Sequence, residues 1–131
     1  MTALTEAVAA AAGVPVGVGK PPAGLGAGQP YAVIWPSVPM RSTPTMRLDG
    51  GYTETWVCHC YGETEAAAAF VLGKLTAAVY GLHLTTVDGR VVQYPEQLSA
   101  VPLAVDRDAT PDLYDLAVEW RLRTSPTERG Q

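Results

Sequence analysis

Cys58, His59 and Cys60 are the first residues to invite a chemical reading, because thiolate and imidazole are the usual ligands of zinc. In an extended segment His59 points to the opposite face from both cysteines. His83 is the only other histidine, so a four-ligand site would need carboxylates or a second subunit. The same opposition of faces keeps His59 from serving Cys58 as a general base. The pair reads as core thiols. Asp106, Asp108 and Asp112 have the look of a calcium loop, but with Asp106 at its first position Pro111 takes the place of the required glycine and Ala117 that of the closing glutamate. Gly19-Lys20 lies in a glycine-rich stretch, yet the first glycine of a phosphate loop falls at Val14, Pro21 follows the lysine, and no strand precedes. No catalytic residue, metal site or cofactor is expected.

The elements that must position these residues follow from pattern. Residues 2–12 are helix formers with Leu4, Val8, Ala11 and Ala12 on one face, ended by Gly13. Residues 13–30 carry six glycines and four prolines and read as a mobile loop. YAVIW, residues 31–35, is a short buried strand between two prolines. A second long loop, residues 36–50, holds Met40, Arg41, Met46 and Arg47, more apolar and basic than a simple connection requires. YTETWVCHCY, residues 52–61, is a strand with Tyr52, Trp56, Cys58 and Cys60 on one side and Thr53, Thr55, Val57, His59 and Tyr61 on the other. Gly62 breaks it.

A helix over 63–79 then turns Ala68, Val71, Leu72, Leu75 and Val79 to the core. A second face of Ala66, Ala69, Gly73 and Ala77 would admit the first helix or a neighbouring subunit at close range. Asp88-Gly89 joins two β-rich runs, residues 82–87 and 90–94, in a hairpin. After a turn-rich acidic segment, 113–122 alternates Tyr114, Leu116, Val118, Trp120 and Leu122 against polar neighbours, and Trp56 and Trp120 are expected in the core. The order helix, strand, strand, helix, hairpin, strand predicts one α+β domain over residues 1–123, a mainly antiparallel β-sheet with two helices packed on one face. Residues 124–131 read as a flexible tail.

The chain has 131 residues, 47% hydrophobic and 17% charged, which suits a single domain. Two cysteines offer no disulfide framework. The stretch between Glu6 and Lys20 contains Pro15 and falls short of the roughly 20 apolar residues of a membrane span, so no membrane partner is expected. No basic residue precedes Lys20, which argues against a signal peptide and for a chain made and assembled in the cytoplasm. The net charge of −4 argues against a main affinity built on neutralising nucleic-acid phosphates, without excluding proximity to DNA. Residues 104–119 hold five acids against Arg107, while the remainder balances, so one segment carries the excess.

An alanine-rich first helix, the YAVIW strand, a long loop into YTETWVCHCYGETEAAAAFVLGKL, a hairpin, and AVDRDATPDLYDLAVEWRLR together resemble the small tail-terminator proteins of long-tailed bacteriophages. The resemblance covers residues 2–123. It implies an α+β subunit forming a hexameric ring on the last ring of tail-tube protein, ending polymerisation and offering a surface to the head-completion protein at the tail-neck junction of the virion. No enzyme activity is implied. Met40, Arg41, Met46 and Arg47 would then reach a neighbouring subunit or the tube, and Arg107 would bridge to a neighbour or close a local turn. Asp106, Asp108 and Asp112 would line the lumen or a docking surface, letting DNA pass without specific binding. A head-closure or other neck protein of the same virion is the competing reading, and a small cytosolic enzyme or a monomeric binding module the more distant ones.

Overall fold

The structure, a computed structural model, describes residues 2–37, 40–41, 51–109 and 111–126. Helix α1 (Ala3–Ala11) starts in a capping box, in which the Thr2 hydroxyl accepts from the Thr5 amide at 3.3 Å while Thr2 N donates to Thr5 Oγ1 at 3.1 Å. Strands β1 (Val16–Val18), β2 (Tyr31–Pro36), β3 (Met40–Arg41) and β4 (Tyr52–Gly62) follow. Helix α2 (Glu65–Tyr80), capped by the Thr64 hydroxyl, leads to β5 (Thr86–Val87), β6 (Arg90–Val92), β7 (Glu96–Asp106) and β8 (Leu113–Pro126).

All eight strands join one sheet in the order β1-β2-β4-β8-β6-β5, with β3 beside β4 and β7 beside β8. Its spine is the antiparallel pair β4–β8, in register from Tyr52↔Thr124 to Gly62↔Tyr114, with Trp56 directly opposite Trp120. Both helices pack on one face. The core between them and the sheet comprises Leu4, Val8 and Ala12, then Val71, Leu75 and Val79, and from the sheet Ile34, Trp56, Cys58, Cys60, Val118, Trp120 and Leu122. The α+β architecture thus matches the sequence pattern, including both tryptophans in the core. No helix among the described residues is long and apolar enough to cross a membrane.

Four expectations are corrected. The glycine-proline stretch contains β1, which pairs in parallel with β2 from Val16↔Ala32 to Val18↔Ile34, and residues 19–30 supply the long crossover that a parallel pair needs. The segment after the hairpin contains β7, an edge strand with register shifts between Gln97 and Ser99 and between Val101 and Ala104. Pro102 lies inside the second irregularity, where the missing N–H breaks no ladder bond, so a residue that speaks against a strand is accommodated. The supposed tail begins inside β8, because Thr124 is flanked by Tyr52 of β4 and Val92 of β6 and its backbone joins two ladders. Finally, Ala66, Ala69, Gly73 and Ala77 are all exposed, so of the two coverings expected for this face the first helix is ruled out and the neighbouring subunit is not. Helix α1 meets α2 near Ala78 instead, leaving a shallow groove lined by Ala11, Ala12, Lys74 and Ala77.

The hairpin is confirmed at its turn: Asp88 and Gly89 have φ of 54° and 75°, both in the left-handed region of a type I′ connection. It is shorter than the sequence implies, since residues 81–84 form turns and the paired strands are only Thr86–Val87 and Arg90–Val92.

Candidate functional site

Alternation along β4 turns Glu54, Trp56, Cys58 and Cys60 toward the helices, and Thr53, Thr55, Val57, His59 and Tyr61 toward the helix-free face. Both cysteines are fully buried and free. Burial raises the Cys58 thiol far above its ordinary range and pushes Cys60 up to about 12, so neither is a ready thiolate. His59 is directed away from them, and no cluster of three or more His, Cys, Asp or Glu able to hold a metal occurs among the described residues.

The helix-free face is polar and aromatic. His59 Nδ1 sits 2.9 Å from Asp115 Oδ2 and its ring stacks on Tyr61 at 5.9 Å, while Tyr61 lies 5.0 Å from Tyr31. Burial, then the Asp115 carboxylate, pushes the Tyr61 phenol up to about 12, and the same two causes raise Tyr31. Further along β8, Arg121 and Arg123 reach Glu96 at 3.3 and 3.5 Å, and Ser99 donates to Glu119 at 3.1 Å. The five acids that sequence groups into one segment are therefore divided: Asp115 and Glu119 lie on the sheet face, and only Asp106, Asp108 and Asp112 belong to the β7–β8 tip.

At that tip Asp106 Oδ1 accepts from the Asp108 amide at 3.0 Å, and Arg107 pairs with Asp112 at 3.1 Å with both side chains well exposed. Arg107 is thus engaged locally, in a surface pair worth about 0–1 kcal/mol that a partner can readily displace. Of the loop residues, Met40 and Arg41 form β3, paired with Thr53 and Tyr52. Met46 and Arg47, like the side chains of Met40 and Arg41, lie outside the described residues.

Two features were not anticipated from sequence. Among the described residues β7 pairs with β8 alone and its outer edge has no partner strand, and the run from Gln97 to Val105 carries no charge, with Leu98 38% and Val101 54% exposed. The other is Glu54, 7% exposed, whose Oε1 accepts from Trp56 Nε1 at 3.0 Å and from the Thr2 hydroxyl at 3.1 Å. A signal for Glu54 was present, since a charge two residues before Trp56 falls on the apolar face of an alternating strand. For β7 there was no such signal, because an exposed edge strand has no buried face to impose alternation.

No protein-family model and no curated protein matches the chain. Among solved structures the fold is similar to a chain in the virion of a native gene transfer agent (GTA) particle, with a TM-score of 0.58 over 90% of this chain and 84% of that chain, at 17% sequence identity. At that identity the likeness establishes a shared fold.

Proposed function

We propose that the protein is a structural component of a tailed-phage-type virion, and within it a tail terminator: a subunit of a hexameric ring that caps the head-proximal end of the tail tube, ends its growth and presents a surface to the head-completion protein. The observation that carries this reading is the fold likeness to a virion chain across nearly the full length of both molecules. The open β7 edge supports assembly, because a long uncharged edge with exposed Leu98 and Val101 is a template for a strand from another chain.

The same edge favours a ring over a two-fold dimer. Antiparallel pairing of β7 with a second β7 about Val101 would set Glu96 opposite Asp106 at both ends, and like charges directly opposite destabilise a ladder. A heterologous contact avoids this, and with a rotation that closes it generates a ring. In that arrangement the acidic β7–β8 tip, with Asp106, Asp108 and Asp112, is the element proposed to face passing DNA, where like charge prevents sticking. Arg41, Arg47, Met40 and Met46 are the proposed loop contacts to subunit or tube.

The test is electron microscopy of purified protein mixed with polymerising tail-tube protein. A ring at one tube end with shortened tubes is the expected result, and Val101→Lys on the β7 edge should abolish the ring while leaving the monomer folded. Unaltered tubes without bound protein would overturn the terminator reading, and co-purification with filled heads instead of tail tubes would assign the protein to the neck.

A further inference from the structure

Glu54 is the one acid among the described residues that is buried, and only half of its carboxylate is satisfied. Trp56 Nε1 and the Thr2 hydroxyl both donate to Oε1, whereas Oε2 accepts no hydrogen bond among the described residues. Oε2 is not sealed in the core: among the described residues the enclosed side-chain polar atom without a partner is Trp120 Nε1. Glu54 instead lines a cleft of about 220 Å³ between the start of α1, the β5–β6 turn and the sheet end, with Tyr52, Asp88, Arg90 and Thr124 among its walls.

Holding a carboxylate out of water costs several kcal/mol unless an opposite charge and further hydrogen bonds offset it. Arg90 does not serve Glu54: its Nε donates to Thr124 Oγ1 at 2.9 Å, a terminal nitrogen reaches Thr124 O at 3.3 Å, and its guanidinium lies 4.7 Å from the centre of the Tyr52 ring. The cleft therefore presents two carboxylates, Glu54 inside and Asp88 at the turn, to one guanidinium that is otherwise engaged.

We infer that this cleft is a binding site for a single organic cation, a guanidinium or primary ammonium group that donates to Glu54 Oε2. The chemistry of the walls selects that class. A divalent metal would want several oxygen ligands, and Arg90 opposes a concentrated double charge. A nucleotide or other drug-sized molecule exceeds the volume, which is below the roughly 300–1,000 Å³ of small-molecule pockets. One arginine or lysine head with part of its stem fits, its charge toward Glu54 and its methylenes along Ala3, Leu4 and Val87.

Trp56 supplies the reporter, since its indole N–H shares the carboxylate. Titration of the full chain with butylguanidinium, followed by the Trp56 indole N–H resonance, should give a saturable shift that the neutral isostere butylurea does not. Glu54→Gln should weaken binding by about tenfold or more, the loss expected when a charge-assisted hydrogen bond becomes a neutral one. Asp88→Asn, at the exposed turn and outside the buried network, should weaken it severalfold in a chain of unchanged stability. An absent or non-saturable shift, equal binding of butylurea, or affinity unaltered in both variants would overturn the inference. The source of the cation is read from assembly: dispersal by saturating butylguanidinium assigns it to a side chain of a neighbouring copy, and insensitivity assigns it to a free amine.

Discussion

The same substitution made just before one helix and in its middle should act in opposite directions. Gly62 closes β4 just before α2, and a Cβ built on it meets Ala67 Cβ and Ala68 N at 2.7 Å and Ala67 C at 2.9 Å. Two of those atoms belong to helix backbone, so Gly62→Ala requires the strand end and the first turn of α2 to separate. Overpacking of this kind costs about 1–3 kcal/mol, against about 0.4–1 kcal/mol returned by a less flexible unfolded chain. A net loss of about 1–2 kcal/mol results. Gly73 lies within α2 on its exposed face, where an added Cβ meets nothing within 4 Å, and alanine there should gain about 1 kcal/mol from helix propensity.

Urea denaturation of the two variants at concentrations where the protein is monomeric should therefore separate them by about 2–3 kcal/mol around the wild type, at about 4 °C of melting temperature per kcal/mol for a chain of this size. A Gly62→Ala protein as stable as wild type would refute the close approach of strand end to helix. A Gly73→Ala protein no more stable than wild type would refute the solvent-facing helix. The second variant also reads function: Gly73 lies among Ala66, Ala69 and Ala77, so stabilised monomers that no longer assemble would identify this small-residue face as a subunit contact.

Stability should fall as pH rises above about 9, since Cys58, Cys60 and Tyr61 hold their protons more tightly folded than unfolded; the stabilisation is complete below their ordinary pKa values and is lost as pH climbs through the raised ones. Tyr61→Phe should flatten the part between about pH 10 and 12, and denaturation midpoints unchanged across pH 9–12 would contradict the burial of these groups. Asp115→Asn should lower the Tyr61 phenol, read from phenolate absorbance, while burial, the larger cause, keeps it above its ordinary value. Gly89→Ala forces a side chain into φ of 75° and should destabilise by about 1 kcal/mol in urea titrations, with loss of the hairpin's amide protection. Arg107→Ala should change monomer stability by less than about 0.5 kcal/mol, because its pair with Asp112 is exposed, so any loss of assembly in that variant measures an intermolecular contact.

The elements with two unequal faces were determined by sequence. Strands β4 and β8 alternate, α2 carries Val71, Leu75 and Val79 at helical spacing, and Asp88-Gly89 is one of the few dipeptides that a type I′ turn accepts readily, so periodicity and turn chemistry were enough. The separation of His59 from Cys58 and Cys60, and with it the absence of a thiol–imidazole pair, followed from the same period of two. What tertiary structure decided were the strands that have no face of their own. Val16–Val18 is a strand because β2 lies beside it, β7 because β8 offers a partner, and Thr124 is ordered because ladders form on both its sides. A backbone hydrogen bond needs a neighbour distant in sequence, and no local pattern encodes that neighbour's position. The candidate sites divide likewise. Asp106, Asp108 and Asp112 were legible as a cluster of like charge. The dispersal of Asp115 and Glu119 to the sheet face, and the half-satisfied carboxylate of Glu54, came only from the register of β4, β7 and β8 and the docking of α1.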